Sequence, residues 1–475
     1  MSWRYLRTAD RLTNTLSNNL INMKIFKTNS NITLFFAASL VGAMAVPKLA
    51  EGKEIVTVTD EHEIQPDPSA NVMKCPPYGC PLLPRDMYFD EDAKRALKVI
   101  RFNNDHAAPY DDGDGDVVEI DLDSSQALEL LKNAGGKDRA TLTLIGYKGG
   151  DLKEQINQDR AFVISPYFVQ QTEDHDNSDT KQSTIRLMGV FDGHAKLGEL
   201  VSEYTVTTLP KLLSTKLETI IAESKVDTLQ TAVQKALIET FIELDKTAPA
   251  EKSGGCTASV VLQLGKDAYV ANAGDSRSLI ATFNKATSEV KIVYITREDK
   301  PDLPEERSRV ESMGGQVYVP TPDRIRMGAS SRVLYVDPVT GGTNGLAMSR
   351  SIGDWAAGEK GVIPDPTVDV IDIEKLINGN EECAASAENA AGGELSQCRG
   401  DIEVFAVSAT DGLLDFMNVN DIANTIATSL YVDDGPHPLS ACESLITTAA
   451  SAWWQAKNGQ YRDDIAIAVS KLSLD

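Results

Sequence analysis

The sequence predicts an α+β fold in which antiparallel β-sheets are covered by helices. Three observations support this class. Short runs rich in β-branched and aromatic residues are bounded by turn residues, which is typical of strands. Two such runs, 258–264 and 268–272, flank Gly265-Lys266-Asp267 as in a hairpin. Pairs of longer stretches with apolar residues at helical spacing interrupt the strands.

The elements can be assigned in chain order from these patterns. The predicted strands cover residues 141–145, 161–164, 185–191, 258–264, 268–272, 291–296, 403–408 and 464–469. The predicted helices cover residues 197–224, 228–245, 305–313, 420–430 and 440–456. In the first helix the residues spaced as one apolar face are Leu200, Tyr204, Leu212, Leu213, Leu217, Ile220 and Ile221.

Composition limits the classes of partner. The chain has 475 residues, 42% of them hydrophobic, so a large core can form. Its net charge of −24 argues against binding to nucleic acid or to anionic membrane surfaces, because both require basic patches. A phosphate-binding site in such a chain must therefore gather positive charge locally. The six cysteines include no CxxC pair, which argues against a structural zinc site.

The N-terminal residues have the pattern of a targeting segment. Residues 1–31 are basic and polar, and residues 32–46 form an apolar run that is short for a membrane span. Three interpretations stay open: a cleaved signal ending near Ala43-Met44-Ala45, an uncleaved membrane anchor through 32–46, or an organelle presequence. We therefore expect a secretory or membrane-associated protein, with a mitochondrion or plastid as the alternative. Residues 47–135 are interpreted as an N-terminal extension, and 136–475 as the folded domain.

One strand ends in groups suited to chemistry. The apolar run 187–191 is followed by Asp192, Gly193 and His194. Gly193 allows the backbone to turn and its carbonyl to approach a ligand closely. A carboxylate and a carbonyl oxygen suit a hard divalent cation such as Mg²⁺ or Mn²⁺. His194 is a candidate proton donor near neutral pH.

Four further acids stand at predicted strand ends, namely Asp159, Asp275, Asp411 and Asp463. Each alone is typical of a turn. If they converge with Asp192 at one edge of the sheets, the site requires cations. Two carboxylates about 5 Å apart repel by roughly 3 kcal/mol at an effective dielectric constant of about 20. The acids therefore predict a metal centre.

The order of these motifs resembles that of the metal-dependent protein serine/threonine phosphatases of type 2C. The matching segments are 157–160 (NQDR), 190–194 (VFDGH), 254–258 (GGCTA), 271–277 (ANAGDSR), 300–301 (KP), 306–310 (ERSRV), 314–317 (GGQV), 346–354 (LAMSRSIGD), 408–415 (SATDGLLD) and 463–465 (DDI). Each segment is degenerate, but together they are specific. The resemblance covers about 140–475 and does not extend to 1–135.

The resemblance implies a four-layer α/β/β/α sandwich of two antiparallel β-sheets flanked by helices. It also implies two Mn²⁺ or Mg²⁺ ions per chain between the sheet ends. Asp192 would bridge both ions, Gly193 and Asp159 would hold one, and Asp411 with Asp463 the other. Asp275, with Asp411, would serve a weaker third site.

The implied function is hydrolysis of phosphoserine and phosphothreonine in phosphorylated proteins by a monomeric enzyme. A water activated by the metals would attack phosphorus, and His194 would protonate the leaving oxygen. In this scheme Cys256 has no nucleophilic role and is interpreted as a small buried residue.

Several positions depart from the family pattern. The phosphate-binding arginine is replaced by Glu154, so the phosphate-binding residue stays unassigned, with Lys148, Lys153 and Arg186 as candidates. The usual Asp-Asn near the C-terminus is Asp463-Asp464. These changes keep open an alternative function, a pseudophosphatase that binds partners without turnover. The long segment 317–345, which carries Arg324, Arg326 and Arg332, is either a substrate-selecting flap or a surface loop.

Overall fold

The computed structural model describes the backbone of four short N-terminal strands and most of residues 137–474. Within 137–474 the segments left undescribed are 151–154, 168–184, 224–225, 251–252, 338–340, 379–401, 433–434 and 436. The targeting prediction for 1–46 and the substitution at Glu154 lie outside the described residues, as does Lys153. Among the helices that are described, none combines the length and apolar character needed to span a membrane.

Nineteen strands are described. In chain order they are β1 (Pro81–Leu82), β2 (Asp86–Phe89), β3 (Ala96–Phe102), β4 (Val118–Asp121), β5 (Arg139–Leu144), β6 (Asp159–Ile164), β7 (Ile185–His194), β8 (Gly255–Cys256), β9 (Ala258–Leu264), β10 (Asp267–Ala273), β11 (Arg277–Asn284), β12 (Glu289–Ile295), β13 (Gln316–Tyr318), β14 (Arg332–Val336), β15 (Thr343–Leu346), β16 (Ile352–Gly353), β17 (Thr367–Asp372), β18 (Ile402–Ala409) and β19 (Ile465–Leu472).

The described helices are α1 (Gly198–Glu223), α2 (Val226–Thr247), α3 (Pro304–Ser312), α4 (Pro322–Arg326), α5 (Trp355–Gly358), α6 (Ile373–Asn378), α7 (Asp411–Leu414), α8 (Val419–Tyr431) and α9 (Pro438–Ala456). Each of the five helices predicted from the sequence is present, with ends shifted by a few residues. The short helices α4 to α7 carry too few turns to give a helical period.

Two large sheets form the centre of the fold. The first has the order β1-β6-β7-β9-β10-β17, and the short strands β8 and β16 extend it beside the end of β7. The second has the order β12-β11-β18-β19-β5-β2-β3-β4. All pairings within them are antiparallel except that of β2 with β5, which is parallel. Strands from residues 81–121 thus add to both sheets, through β1 on β6 and β2 on β5.

Apolar side chains define the layers. Between the sheets, alternate residues of the facing strands form one buried cluster that includes Val190, Val261, Ile280, Ala406 and Ala468. The other face of the first sheet packs on α1 and α2, and that of the second sheet on α8 and α9. This is the expected α/β/β/α sandwich. Because every central strand is covered on both faces, the polar groups of the fold collect where the strands end.

The segment 317–345 contains structure that the sequence did not predict. Strands β13, β14 and β15 form a small antiparallel sheet of their own. A small apolar cluster of Val310, Val333, Tyr335, Leu346 and Val362 holds this sheet against the body. Arg332 on β14 is exposed, as are Arg324 and Arg326 on α4.

Candidate active site

Three of the predicted acids meet where the two sheets end. Asp192 lies near the end of β7, Asp275 in the turn after β10, and Asp411 at the first residue of α7 just after β18. One carboxylate oxygen from each lies within 4.8 Å of the others. The convergence expected from the strand ends is therefore confirmed for this group.

Asp159 completes one side of the cluster. It is the first residue of β6 and stands directly opposite Asp192 in the antiparallel pairing of β6 with β7. Both of its carboxylate oxygens are buried and accept no hydrogen bond of ordinary geometry from the described residues. Burial and the charges of Asp464, Asp463 and Asp411 raise the pKa of Asp159 well above its ordinary value, against an opposing effect of the Thr410 hydroxyl.

Asp192 and Asp411 are affected in the same way. Burial, followed by the charges of Asp159, Asp463 and Asp275, raises the pKa of Asp192. Burial, followed by Asp192, Asp275 and Asp463, also raises the pKa of Asp411. Without cations these carboxylates therefore resist ionisation together, as expected of groups crowded in a poorly solvated site.

Asp463 lies beside this group and is held by polar contacts. Its Oδ1 is 3.2 Å from Lys148 Nζ, and its Oδ2 accepts a 2.7 Å hydrogen bond from the Tyr461 hydroxyl. It contributes charge to the cluster, since it raises the pKa of both Asp192 and Asp411. It is not one of the three acids whose oxygens lie within 4.8 Å of one another.

The added acid, Asp464, is balanced by Lys148. Asp464 accepts hydrogen bonds from the backbone N–H groups of Gly146 at 2.5 Å and Gln158 at 3.2 Å. Lys148 Nζ lies 3.1 Å from its Oδ2. Burial alone would lower the pKa of Lys148, but the charges of Asp464, Asp463 and Asp192 raise it above its ordinary value. A lysine near the start of the domain thus offsets a charge near its end.

Of the other candidate phosphate ligands, Arg186 is not at the site. It is buried, and its guanidinium donates to Ser165 Oγ and Gln263 Oε1. Lys300 does reach the cluster, with its Nζ 2.7 Å from Asp275 Oδ2. Sequence reasoning noted the Lys300-Pro301 motif but did not assign this contact.

The donor set suits a hard divalent cation. It consists of oxygens alone, and Asp275 Oδ1, like both oxygens of Asp159, is buried and accepts no hydrogen bond of ordinary geometry in the described part of the chain. Carboxylate oxygens without protein partners are the ligands that Mg²⁺ and Mn²⁺ prefer. The residues present therefore fit such ions.

Gly193 allows neighbouring backbone to approach closely, but the chain does not turn at this residue. Strand β7 continues through it to His194, and the first residue with left-handed backbone is Ala195, with φ of 60°. A Cβ on Gly193 would stand 2.5 Å from the Gln158 carbonyl oxygen and 2.7 Å from that of Gly198. Only glycine allows α1 to begin so near the cluster.

His194 has a partner that sequence reasoning missed. Its Nε2 lies 2.5 Å from Asp354 Oδ2, and the two side chains are 18% and 3% exposed. Burial alone would lower the pKa of His194, but Asp354 raises it above its ordinary value. Asp354 ends the LAMSRSIGD segment, and nothing in one sequence signals a contact between residues 160 positions apart.

An ion network lies behind Asp275. Glu306 is fully buried and binds three guanidinium groups, those of Arg297 at 2.9 Å, Arg350 at 2.6 Å and Arg309 at 2.7 Å. These contacts lower its pKa to about 2, against the effect of burial. Asp299, in contact with Arg297, accepts a hydrogen bond from the N–H of Gly274 next to Asp275. The network connects α3 to the acid cluster at Asp275, and α3 is followed in the chain by the small sheet.

The sandwich with acids gathered at its sheet ends is the arrangement of a metal-dependent hydrolase. The family model "Protein phosphatase 2C" matches residues 169–453, more than half of the chain. The chain therefore belongs to the protein phosphatase 2C family and is a serine/threonine phosphatase of that type. The matched range includes Asp192, Asp275 and Asp411 and leaves out Asp159 and Asp463.

Two relatives that are similar over about two thirds of this chain carry the same family name. The chain is 28% identical over 318 residues to "Probable protein phosphatase 2C 72" of Arabidopsis thaliana, covering 66% of this chain and 80% of the relative. It is 26% identical to "Probable protein phosphatase 2C 41" of the same organism, covering 66% and 77%. A solved serine-threonine phosphatase 2C from Toxoplasma gondii aligns with a TM-score of 0.49 and 17% identity, over 71% of this chain and 95% of that one.

Proposed function

We propose that this chain hydrolyses phosphoserine and phosphothreonine in proteins, using two bound Mn²⁺ or Mg²⁺ ions and His194 as general acid. The observation that supports it most is the meeting of Asp192, Asp275 and Asp411 within 4.8 Å, with Asp159 opposite Asp192. Such a concentration of carboxylates in a poorly solvated site is costly unless bound cations or protons offset its charge.

The proposed ligands follow the order of the strand ends. Asp192 would be shared by both ions, Asp159 and the Gly193 carbonyl would hold one, and Asp411 with Asp463 the other. Asp275, with Asp411, would hold a weaker third ion. When bound, the ions supply a strongly acidified water and offset charge on the phosphoryl oxygens.

The chain's own part in the reaction is proton transfer and orientation. A water oxygen bonds to phosphorus while the bond from phosphorus to the serine or threonine oxygen breaks, with its electron pair left on that oxygen. His194 gives this oxygen a proton and afterwards regains a proton from solvent. The attacking water loses its own proton to solvent. The products are the free hydroxyl and inorganic phosphate, and one water is consumed.

The function is tested by phosphate release from a phosphothreonine peptide by the full chain with Mn²⁺. We expect chelator to abolish release and Asp411→Asn to lower kcat at least about 100-fold, because a metal ligand is lost. Asp421→Asn, the same substitution at an exposed position on α8, is the matched control and should leave release unchanged. Release that persists in chelator would refute the proposal.

Calorimetry with Mn²⁺, combined with the phosphate-release assay, distinguishes the alternative function. A pseudophosphatase would bind phosphopeptide, with or without metal, and release no phosphate. That alternative fails if two Mn²⁺ ions bind and turnover is normal. Comparison of phosphopeptide with small phosphate esters would separate a protein phosphatase from a hydrolase of small esters.

We further propose that residues 1–46 direct the chain to the secretory pathway or a membrane, with a mitochondrion or plastid as the alternative. The basic flank followed by the apolar run 32–46 supports this proposal. Cell fractionation with N-terminal sequencing of the mature chain tests it. A soluble cytosolic chain with an intact N-terminus would refute it.

A further inference from the structure

We propose that Asp354 is the positioning residue for His194, fixing which ring nitrogen carries the transferred proton and holding the ring at the cluster. This inference rests on the proposed function, since it concerns how the general acid is oriented. The contact itself is the 2.5 Å approach of Asp354 Oδ2 to His194 Nε2.

Local structure commits the Asp354 side chain to this contact. Asp354 is the N-cap residue of α5, and its backbone carbonyl accepts from the N–H groups of Ala357 and Gly358. An aspartate at this position ordinarily accepts from an N–H of the first turn with its side chain. Here the carboxylate makes no such bond and turns away from the helix. Its backbone has φ of 51°, a left-handed conformation that is uncommon outside glycine, asparagine and aspartate.

Neighbouring residues hold the carboxylate in place. The Ser351 hydroxyl donates a 2.8 Å hydrogen bond to the same Oδ2, and the Asp354 N–H donates to the Gly254 carbonyl at 2.9 Å. Asp245 holds the residues on either side of Asp354. Its carboxylate accepts a 2.8 Å hydrogen bond from the Gly353 N–H, and its backbone carbonyl accepts one from Trp355 Nε1.

The space for Asp354 exists because residue 255 has no side chain. Gly255 lies directly across from His194 in the pairing of β8 with β7. A Cβ on Gly255 would stand 2.1 Å from Asp354 Oδ2. The carboxylate therefore occupies the volume where a side chain of β8 would lie.

The consequence is a defined role for each ring nitrogen. Nε2 is bound to a buried carboxylate, whereas Nδ1 is buried in the substrate-free protein, where the Asp192 carbonyl acts on the imidazole but no hydrogen bond of ordinary geometry is made among the described residues. A carboxylate on one nitrogen sets the tautomer and the ring orientation, so that the other nitrogen is left for proton transfer. Asp354 would thus act on the leaving group only through His194.

The test compares two substrates in the full chain with Mn²⁺. A phosphothreonine peptide releases an alkoxide that needs a proton, whereas p-nitrophenyl phosphate releases a stable phenolate that does not. Asp354→Asn keeps the size of the side chain and tolerates the left-handed backbone. We expect its kcat on the peptide to fall about 100-fold, in the range for loss of a general acid, and the loss on the aryl ester to be at least about tenfold smaller.

His194→Asn provides the reference for this pattern, and the double variant should lose no more than His194→Asn alone. Asp245→Asn is the matched control for the loop, because it supports the same turn without touching His194. Any loss it causes should be equal for the two substrates. Equal losses on both substrates in Asp354→Asn, or a double variant that loses the product of both factors, would overturn the inference.

A measurement without turnover separates this inference from the proposed function. In protein labelled with ¹⁵N-histidine, we expect a downfield imidazole proton on Nε2 of His194, absent from both Asp354→Asn and His194→Asn. A lack of metal-dependent turnover in the unaltered chain would refute the proposed function. Absence of the His194 resonance from the unaltered chain would refute the Asp354 contact, whatever the turnover.

Discussion

Asp159 and Asp192 face each other across the pairing of β6 with β7, so that a buried and a half-buried carboxylate stand side by side on neighbouring strands. Like charges directly opposite in a sheet are destabilising, and burial increases their repulsion. The stability of the fold and the affinity for metal are therefore opposed at this point.

Asp159→Asn should stabilise the metal-free protein and weaken its response to metal. Removing one of the facing charges relieves a repulsion of roughly 1–3 kcal/mol, while a metal ligand is lost. Thermal unfolding in chelator and in Mn²⁺ measures both effects. The melting temperature in chelator should rise, and the increase caused by Mn²⁺ should shrink. Asp421→Asn, at an exposed position in the first turn of α8, should leave the increase caused by Mn²⁺ unchanged, and a lower melting temperature of Asp159→Asn in chelator would contradict the prediction.

The metal-free protein should become more stable as the solution is made mildly acidic. Because the folded-state pKa values of Asp159, Asp192 and Asp411 are raised, the folded state binds protons that the unfolded state does not. The unfolding free energy then rises as pH falls through the raised values toward the ordinary value of 3.8. Urea unfolding in chelator at pH 8 and pH 5.5 tests this. A variant with Asp159→Asn and Asp411→Asn should show a flatter dependence.

Glu306→Gln should destabilise the fold by about 3 kcal/mol, because a buried carboxylate shared by three arginines is removed. Since the folded-state pKa of Glu306 is about 2, below its ordinary 4.5, this stabilisation is complete above pH 4.5 and is lost as pH falls toward 2. Denaturant midpoints of the variant and the unaltered chain should therefore converge over that range. Glu289→Gln, at an exposed position on β12 outside this network, serves as control, and a difference that persists undiminished at pH 2 would be inconsistent with this account.

Lys148→Met should destabilise the metal-free fold by about 2 kcal/mol, since Asp464 then lies buried without its cation. Asp464→Asn in the same chain should restore part of the loss, with a coupling energy of about 1–2 kcal/mol. The double-mutant cycle is measured by urea unfolding in chelator. Lys211→Met, on the exposed face of α1, controls for loss of a lysine. Strict additivity of the two substitutions would show that the pair is not coupled.

The sequence was informative for site residues that stand directly after a predicted strand. Asp192, Asp275 and Asp411 could be assigned because each follows an apolar strand, and the resemblance indicated that those strand ends converge. Cys256 was correctly interpreted as buried, and it is fully so. The two-sheet sandwich could be expected for the same reasons.

What the sequence did not reveal depends on contacts between distant residues or on short elements. The pairing of Lys148 with Asp464 joins positions 316 apart, and both residues look like ordinary surface charges in the sequence. Strand β11 was missed because it directly follows the GDSR turn, and β13 to β15 because each is only three to five residues long. Each gains its structure from its neighbours in the sheet, which local pattern does not record.

The absence of a side chain at Gly255 makes this position sensitive to natural variation. Gly255→Ala adds one methyl group and alters no functional group, yet that methyl would displace the partner of the imidazole. Such a change would present in a screen as a folded, metal-loaded protein with selectively slow dephosphorylation of alkyl esters. Sequence surveys that rank variants by chemical severity would overlook it.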